Sequence, residues 1–563
     1  MIKFILQKIK EENKINLFIK SIAFIFSLIL IILESYHQLR LINLGTDFVS
    51  WGLSAMAPVF KIGFPYINYW GINPPGLLMF TAIWGTIISS SLKSFHVLYI
   101  ILLISIVFLT WKILNKFFSL IESLVLFVIF NIFFFSSTVQ SQFFPSEING
   151  LVFALIGLYF ALKKKISKKD IFWASFFFIL AGQMKEVFAF TGLTLFPHLL
   201  KAIHLGKEEV KKIIIYSLFG ISAALLLMIG YLAVNHSLAE YKNVLEFKSK
   251  QFSISDSGLF EKNLSHSIHY PKERFIYPKY QMSVLAFISF IFLLVYLSLT
   301  IKSKKTSKKN NLFLSFNLPK KTMVHLILFF FYIGSTIGYM SQGRYSGKYE
   351  IVSILPMILM IALSVKIIFR TFLEFFKIKL SINIYLIITA LLFSLFLLPK
   401  KFFFLELYQD INSYDSQIHI DRWVNLENPG SFGMETYIKN NTTKDDCITA
   451  AYGWGIGRYY YYSQRKSCSK YFLINILPNN KHEEYRNELI SNPPKTIIYG
   501  TVATDMNVEE FERTVFNFSK VLEDCYKQDD KFKSLYWANF DSEKQSSCLS
   551  IGLPNLGVDN SSL

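Results

Sequence analysis

Long apolar runs, separated by short polar stretches, dominate the sequence from Ile22 to Pro399. A helix needs about 20 mostly apolar residues to cross the hydrocarbon core of a bilayer. Backbone polar groups cannot stay unpaired in lipid, so these runs are predicted to be helices, and they are too continuous for the alternating strands of a barrel. We predict about eleven transmembrane helices, at residues 16–34, 95–113, 121–138, 148–162, 171–184, 187–203, 213–234, 282–301, 323–341, 351–369 and 381–398.

Lysine-rich stretches between the runs predict the orientation of the chain. They lie at the N-terminus and at residues 163–169, 201–212, 302–321 and 366–379. All of them fall on one side when the predicted helices alternate in direction, and positive charge in short loops marks the cytoplasmic side. We therefore expect a multi-pass protein of the cell inner (plasma) membrane, with a cytoplasmic N-terminus and an extracytoplasmic C-terminus. No small-residue cleavage site follows the first apolar segment, so we expect that segment to be retained as a helix.

Composition and charge agree with this topology. The 563 residues are 52% hydrophobic, and the mean hydropathy is +0.38, which is high for a soluble protein of this size. The net charge of +19 could indicate a nucleic-acid partner, but residues 401–563 hold 17 Lys and Arg against 22 Asp and Glu. The excess positive charge therefore lies in the loops between apolar runs, where it sets topology. We expect membrane lipids as partners and no nucleic acid.

Residues 401–563 are predicted to form a soluble extracytoplasmic α/β domain after a transmembrane domain at 1–400. An apolar, β-rich run begins at Cys447, and a second run after Pro494 is typical of a buried strand. Further along, apolar residues recur at helical spacing and predict one helix over residues 507–526. The residues of its apolar face are Phe511, Val515, Phe518 and Val521 or Leu522.

All four cysteines lie in this predicted outer domain. They are Cys447, Cys468, Cys525 and Cys548. Cysteines clustered outside the cytoplasm favour disulfides, and no CxxC spacing supports a zinc site. Three pairings are possible, of which we favour the sequence neighbours, 447 with 468 and 525 with 548.

The loop at residues 35–94, between the first two predicted spans, is rich in Trp, Tyr, Gly and Pro, as expected for a structured loop at the membrane interface. Residues 48–60 and 75–88 could each form a short helix lying on the membrane, the second with Pro near its first turn. Asp47 comes directly before the first of these helices. It could simply cap that helix, or it could carry chemistry.

Other charged residues reach the same predicted outer face. Ionisable groups at helix ends in a membrane are costly unless they are solvated or paired. Each of these residues could have a purely structural role, as a helix cap, in a solvated turn or as an anchor to lipid headgroups. Together, carboxylates facing Arg and Lys are what a site for a lipid phosphate and a hydroxyl group needs. These residues are Glu147, Lys185, Glu186, Arg344, Lys348 and Glu350.

Three motifs in this order resemble the GT-C superfamily of glycosyltransferases, which includes the protein O-mannosyltransferases and the lipid A aminoarabinose transferases. Asp47, then GFPYINYW and NPPGLLMF, is similar to the first outer loop of that family. SEINGLVFALIGLYFAL looks like the segment after its third span, and GRYSGKYEIVSILP looks like its late motif. Lys348 stands where that motif usually has His, which puts a histidine role in doubt but keeps a cation.

The resemblance implies an inverting enzyme that takes a sugar from a polyprenyl-phosphate donor and gives it to an envelope glycan, lipid or protein acceptor. Arg344 would stabilise the leaving phosphate, assisted by Lys348 or Lys185. Asp47 would be the catalytic base. Glu147 would orient the acceptor or help to hold a divalent ion, which the family allows but no ligand cluster in the sequence demands. Tyr66 and Tyr349, within the same motifs, are further candidates for substrate binding.

Three other functions compete with this one. A transporter or lipid-linked-sugar flippase should carry ionisable residues near mid-membrane and show inverted repeats, and the sequence offers nearly none of the former and no internal repeat. A polysaccharide polymerase or ligase should concentrate Arg in one large late loop, whereas the loop at residues 235–281 is polar and mixed. A receptor or structural membrane protein would place its function in the C-terminal domain.

Overall fold

The structure is a computed structural model. It describes residues 18, 21–33, 46–71, 73–135, 146–163, 165–251, 291, 320–340, 351–375, 433–451, 457–472, 477, 479–499, 508–539 and 542–553.

The described part of the first 400 residues is helical. Its helices are α1 (Ser21–Leu33), α2 (Thr46–Phe60), α3 (Pro75–Ile87), α4 (Leu92–Leu114), α5 (Leu120–Phe134), α6 (Ser146–Ala161), α7 (Lys168–Met184), α8 (Phe196–Leu205), α9 (Lys207–Val234), α10 (Leu238–Gln251), α11 (Lys320–Met340) and α12 (Ile351–Phe375). Two short 3₁₀ helices, Glu186–Phe188 and Thr191–Leu195, connect α7 to α8.

Several of these helices could cross a membrane. Four stretches of the described residues are long and apolar enough to cross a membrane: Ser94–Leu114, Glu186–Ile203, Lys207–Val234 and Ile351–Phe369. Shorter apolar helices of 10–17 residues accompany them. Residues 282–290, 292–301 and 381–398 of the predicted spans lie outside the described residues, so the number eleven stays a prediction. The described part of the chain is mostly helical and has apolar helices compatible with a membrane protein.

The segments that connect the helices lie at two opposite ends of the helical region. The ends of α4, α6 and α8 and the starts of α9 and α11 surround one cavity, lined by Lys116, Lys163, Lys165 and Lys201 among others. We call this the lysine end. Glu147, at the start of α6, and Lys185, just after α7, meet at the other end, which we call the motif end. Since α6 has 16 residues, the two ends are separated by about 24 Å.

The C-terminal region contains a five-stranded mixed sheet with the order β2-β1-β3-β5-β4. Its strands are β1 (Cys447–Ala451), β2 (Lys466–Ser467), β3 (Thr496–Tyr499), β4 (Tyr526–Gln528) and β5 (Leu535–Ala538). Its helices are α13 (Met434–Asn441), α14 (Gly457–Ser463), α15 (His482–Ser491), α16 (Val508–Thr514), α17 (Phe518–Cys525) and α18 (Ser542–Leu549). The central strands β1 and β3 are parallel, paired from Ile448 with Thr496 to Ala451 with Tyr499. Both are almost wholly buried, as their apolar sequences require.

Two disulfides close this region, and they have the pairing of sequence neighbours. Cys447 is bonded to Cys468, and Cys525 to Cys548. The first bond joins the start of β1 to the residue that follows β2. The second joins the last turn of α17 to α18.

Two segments predicted as single helices are interrupted in the structure, although the first, at residues 187–203, lies in the stretch Glu186–Ile203 that is long and apolar enough to cross a membrane. Residues 187–203 are not one helix, because the hydroxyl groups of Thr191 and Thr194 bond to carbonyl oxygens three residues earlier, and the backbone there follows a 3₁₀ path. Residues 507–526 hold two helices, because Asn517 caps the second by accepting a hydrogen bond from Lys520 N. The predicted apolar positions of that segment are nonetheless buried.

The C-terminal region packs on the loop between α2 and α3. Trp70 N donates to Lys470 O at 2.9 Å, and the Tyr69 ring lies against Phe472 at 5.5 Å between centroids. Tyr461 Oη donates to the carbonyl oxygen of Ser90, beside the start of α4, at 2.8 Å. The loop between α2 and α3 and the C-terminal region therefore pack against each other in the structure.

Candidate functional site

Glu147 is a fully buried carboxylate in the first turn of α6. A carboxylate there interacts favourably with the helix dipole, which agrees with a capping role. However, the only hydrogen bond to Glu147 found among the described residues is a long one, 3.3 Å, from Ser146 Oγ to Oε2, and Oε1 accepts none. A charge buried this deeply normally has its hydrogen bonds satisfied. Helix capping alone therefore does not account for Glu147.

Lys185 supplies the opposite charge. Its Nζ lies 3.8 Å from Glu147 Oε1, and its side chain is 16% exposed. Lys185 follows the last residue of α7 with extended backbone, φ −158° and ψ 134°, so the side chain leaves the helix at the point where the chain turns. This places a cation at the rim of the motif end, with its carboxylate partner beneath it.

A second carboxylate and lysine lie next to this pair. Glu186 forms an ion pair with Lys248 of α10, and the charge of Lys185 also acts on Glu186. Burial lowers the pKa of Lys248, whereas Glu186 acts to raise it. The motif end thus holds two acids and two lysines in alternation.

Tyrosines surround this charged group. Burial raises the pKa of Tyr66, and the nearby Tyr241, Tyr231 and Glu186 raise it further. The Tyr66 and Tyr241 rings lie 5.1 Å apart. Tyr231 Oη is buried and has no hydrogen-bond partner among the described residues. Phenol hydroxyl groups that can donate or accept are suited to binding sugar hydroxyls or phosphate oxygens.

The GFPYINYW segment has a strained backbone at Tyr66. Its φ is +64°, a left-handed conformation that is uncommon for a bulky residue and costs about 1 kcal/mol or more. The conformation is held by two hydrogen bonds, from Tyr66 N to Tyr69 O at 3.0 Å and from Tyr66 Oη to Asn73 O at 2.6 Å. The second bond ties this segment to the start of NPPG.

The NPPG motif packs beside Lys185. Gly76, in the first turn of α3, lies so close to α7 that a Cβ atom there would be 2.6 Å from Gln183 Cβ and 2.8 Å from Gln183 O. Only glycine allows this approach. Because Gln183 is two residues before Lys185, the motif helps to fix where α7 ends.

The end of α11, which precedes the late motif in the sequence, also lies near this group. Gly338, in the last turn of α11, lies against Val187 O, which a Cβ atom at Gly338 would meet at 2.1 Å. Val187 follows Glu186 directly. The predicted phosphate-binding residues Arg344, Lys348 and Tyr349 lie in residues 341–350, outside the described residues.

Asp47 lies within the first turn of α2, which begins at Thr46. The predicted position directly before the helix is therefore shifted, and Asp47 is not at the N-cap. Its backbone is described and its side chain is not, so the proposed role as a base stays a prediction. Its neighbour Phe48 is buried against Trp51 and Phe95.

Within the described ranges, no group of three or more His, Cys, Asp or Glu side chains comes close enough to hold a metal ion.

Sequence reasoning missed Lys248, Tyr231 and Tyr241. Lys248 lies in a stretch that reads only as polar and mixed. Helical spacing could have predicted that this stretch is an amphipathic helix, because Tyr241, Val244 and Phe247 recur every three residues. In the structure these residues pack against the core, and the Phe247 ring lies 5.2 Å from the Trp70 ring of the loop between α2 and α3.

In comparisons with known proteins, no family model and no curated protein matched this chain.

Proposed function

We propose that this protein is a membrane glycosyltransferase of the GT-C type, which moves a sugar from a polyprenyl-phosphate carrier to a hydroxyl group of an envelope glycan, lipid or protein. One observation carries the proposal. Glu147, Lys185 and the NPPG motif, which the sequence singles out separately, lie together at the motif end.

The charges of this group fit the needs of the reaction. The bond between the anomeric carbon and the phosphate oxygen breaks, and its electron pair stays on the phosphate, so cations must face the leaving group. Lys185 is one such cation, and Arg344 and Lys348 are proposed as the others. A fork-shaped guanidinium binds phosphate in two places, which gives Arg344 the main role.

The acceptor side needs a base and an orienting group. The acceptor oxygen forms the new bond to the anomeric carbon, and its proton passes to a carboxylate, for which we propose Asp47. Glu147 would accept a hydrogen bond from the acceptor through Oε1, the oxygen that accepts none from the described residues. This role would account for a buried carboxylate oxygen that no described residue satisfies.

The test is sugar transfer by the purified full-length protein, reconstituted in lipid with a labelled polyprenyl-phosphate sugar and an acceptor extract. Donor binding and transfer rate are measured on the same preparation. We expect Asp47→Asn to keep donor binding and to lose transfer by about 10²–10⁴-fold. We expect Arg344→Ala to weaken donor binding as well, with a loss of rate of about 10²-fold or more.

Other outcomes would favour the competing functions. Movement of the labelled lipid across the bilayer without transfer would indicate a flippase. Repeated addition to one acceptor would indicate a polymerase. Near-normal transfer by both variants would reject the assigned roles.

A further inference from the structure

The lysine end contains a cavity of about 580 Å³ that the proposed sugar transfer does not use. Its charged lining consists of Lys116, Lys163, Lys165, Lys201 and Glu209. Its apolar lining comes from several helices and includes Leu162, Ala202, Leu205, Ile213, Val324 and Ile327. A volume of this size is in the range of small-molecule and lipid-headgroup sites.

The carboxylates of the described residues do not balance the positive charge around this cavity. Asp170, nearby, is bound by Lys163 at 2.5 Å, and Glu209 is bound by Lys212 at 2.5 Å. Lys116, Lys165 and Lys201 form no ion pair with any carboxylate of the described residues, which leaves a net positive cavity.

Lys116 shows the effect of this imbalance. Its Nζ donates to Tyr159 O at 2.7 Å and lies over the Tyr159 ring. Burial and, to a smaller extent, the charge of Lys163 lower the pKa of Lys116 to about 8, although Asp170 acts to raise it. An anion bound between the lysines would offset this repulsion.

We propose that this cavity binds the phosphate headgroup of an anionic membrane phospholipid, whose acyl chains lie along the apolar wall. The choice of occupant follows from charge complementarity on one side and from the apolar helix surfaces on the other. Basic pockets between membrane helices on the cytoplasmic side are suited to such headgroups. The proposal depends on the chain lying in a membrane, and it is independent of sugar transfer.

The experiment measures lipid binding rather than activity. The full-length protein, delipidated in detergent, is titrated with phosphatidylglycerol, with phosphatidylcholine of the same acyl chains, and with inorganic phosphate, and the bound lipid is counted by native mass spectrometry. We expect phosphatidylglycerol to bind at least about tenfold more tightly than phosphatidylcholine, because each lysine near an anionic headgroup contributes roughly fivefold.

The variant Lys116→Gln/Lys201→Gln should weaken phosphatidylglycerol binding by roughly 20-fold. Its matched control is Lys207→Gln/Lys211→Gln, which removes the same charge from exposed positions in the first turns of α9, outside the cavity lining. We expect the control to bind as the parent does. If Lys116→Gln impairs folding, Lys201→Glu serves instead, because Lys201 is exposed.

Three results would overturn the proposal. Equal binding of the two phospholipids would exclude an anion site. Inorganic phosphate that binds as tightly as phosphatidylglycerol would exclude a role for acyl chains. An equal loss in the control pair would show that general surface charge, and not the cavity, attracts the lipid.

Discussion

Three carboxylates that are buried at the starts of helices differ in how many hydrogen bonds and ion pairs they form. Glu122 accepts hydrogen bonds from Lys366 at 2.9 and 2.7 Å and from Ser119 N at 2.6 Å. Asp170 is bound by Lys163 and by Ser167. Among the described residues, Glu147 has one long hydrogen bond and a lysine at 3.8 Å. An unpaired buried group costs about 1–3 kcal/mol, and more when it is charged. The first two are therefore structural, whereas Glu147 Oε1 accepts no hydrogen bond from the described residues, which agrees with its proposed role.

Glu147→Gln should test this distinction. The amide keeps the size of the side chain but removes the charge that faces Lys185, so we expect transfer to fall by about 10²-fold while the protein still folds. Transfer and thermal unfolding are measured on the same purified variant. Glu122→Gln is the matched control, because it also neutralises a buried carboxylate with a lysine partner. We expect the control to lose stability and keep transfer, and a larger loss of transfer in Glu122→Gln would contradict the assignment.

Glu484, in the C-terminal region, should make local stability depend on pH. Burial acts to raise its pKa, but hydrogen bonds from Lys470 and Lys481 prevail and lower it to about 2. A lowered pKa in the folded state gives stability that is present above the unfolded value of about 4.3 and is lost as pH falls towards 2. Hydrogen exchange of peptides from α15 is the measurement. Glu484→Gln should exchange faster than the parent at pH 7, and this difference should shrink below about pH 3.

The neighbouring Glu483→Gln provides the control for that experiment. Glu483 is exposed, and no salt bridge involves it among the described residues. We expect its exchange to follow the parent at every pH. A difference that persists unchanged at pH 3 in Glu484→Gln would show that packing, not charge, is responsible.

At the scale of elements, the close contact between α3 and α7 makes a further prediction. Gly76→Ala would normally stabilise a helix by up to about 1 kcal/mol. Here the added Cβ atom meets Gln183 O at 2.8 Å, so α3 must move away from the end of α7 and from Lys185. We expect transfer to fall by about tenfold or more, as small displacements of a positioned group do.

Gly71→Ala is the control for the same loop. Apart from its two chain neighbours, no described residue has a heavy atom within 4 Å of the Cβ position at Gly71. The variant should therefore transfer sugar at nearly the parent rate. If the two variants lose similar amounts of transfer activity, the loop tolerates no substitution at either position. That result would contradict a specific role for the contact between α3 and α7.

Element positions followed well from the sequence, whereas contacts between elements did not. The predicted helix at residues 95–113 is α4, Leu92–Leu114, because one continuous apolar run determines it. The pairing of Cys447 with Cys468 and of Cys525 with Cys548, favoured among three possible pairings, is the one the structure has. The approach of Glu147 to Lys185 and the ion pair of Glu186 with Lys248 depend on how α6, α7 and α10 pack, which no periodicity specifies. Breaks such as that at Asn517 depend on local side-chain bonds that compete with helix continuation.

At the scale of the whole molecule, the two disulfides carry the prediction about compartment. They close loops with sequence separations of 21 and 23. On the chain-entropy model each contributes about 3 kcal/mol. Non-reducing peptide mapping of protein from its native membrane should recover both pairs intact. Four free thiols in that material would contradict an extracytoplasmic C-terminal region.

The separation of the lysine end from the motif end leads to the last prediction, which concerns membrane topology. The two disulfides together contain all four native cysteines, so the parent protein has no free thiol that would react with a labelling reagent. Lys211→Cys and Lys444→Cys each introduce one exposed thiol, the first in α9 at the lysine end and the second in the C-terminal region just before β1. Positive charge is retained on the cytoplasmic side. In right-side-out membrane vesicles, a membrane-impermeant maleimide should therefore label Lys444→Cys and leave Lys211→Cys unlabelled until detergent is added. Inside-out vesicles should give the reverse pattern. If both thiols react in right-side-out vesicles, the lysine end is not cytoplasmic, and both the outer site for sugar transfer and the inner site for phospholipid lose their basis.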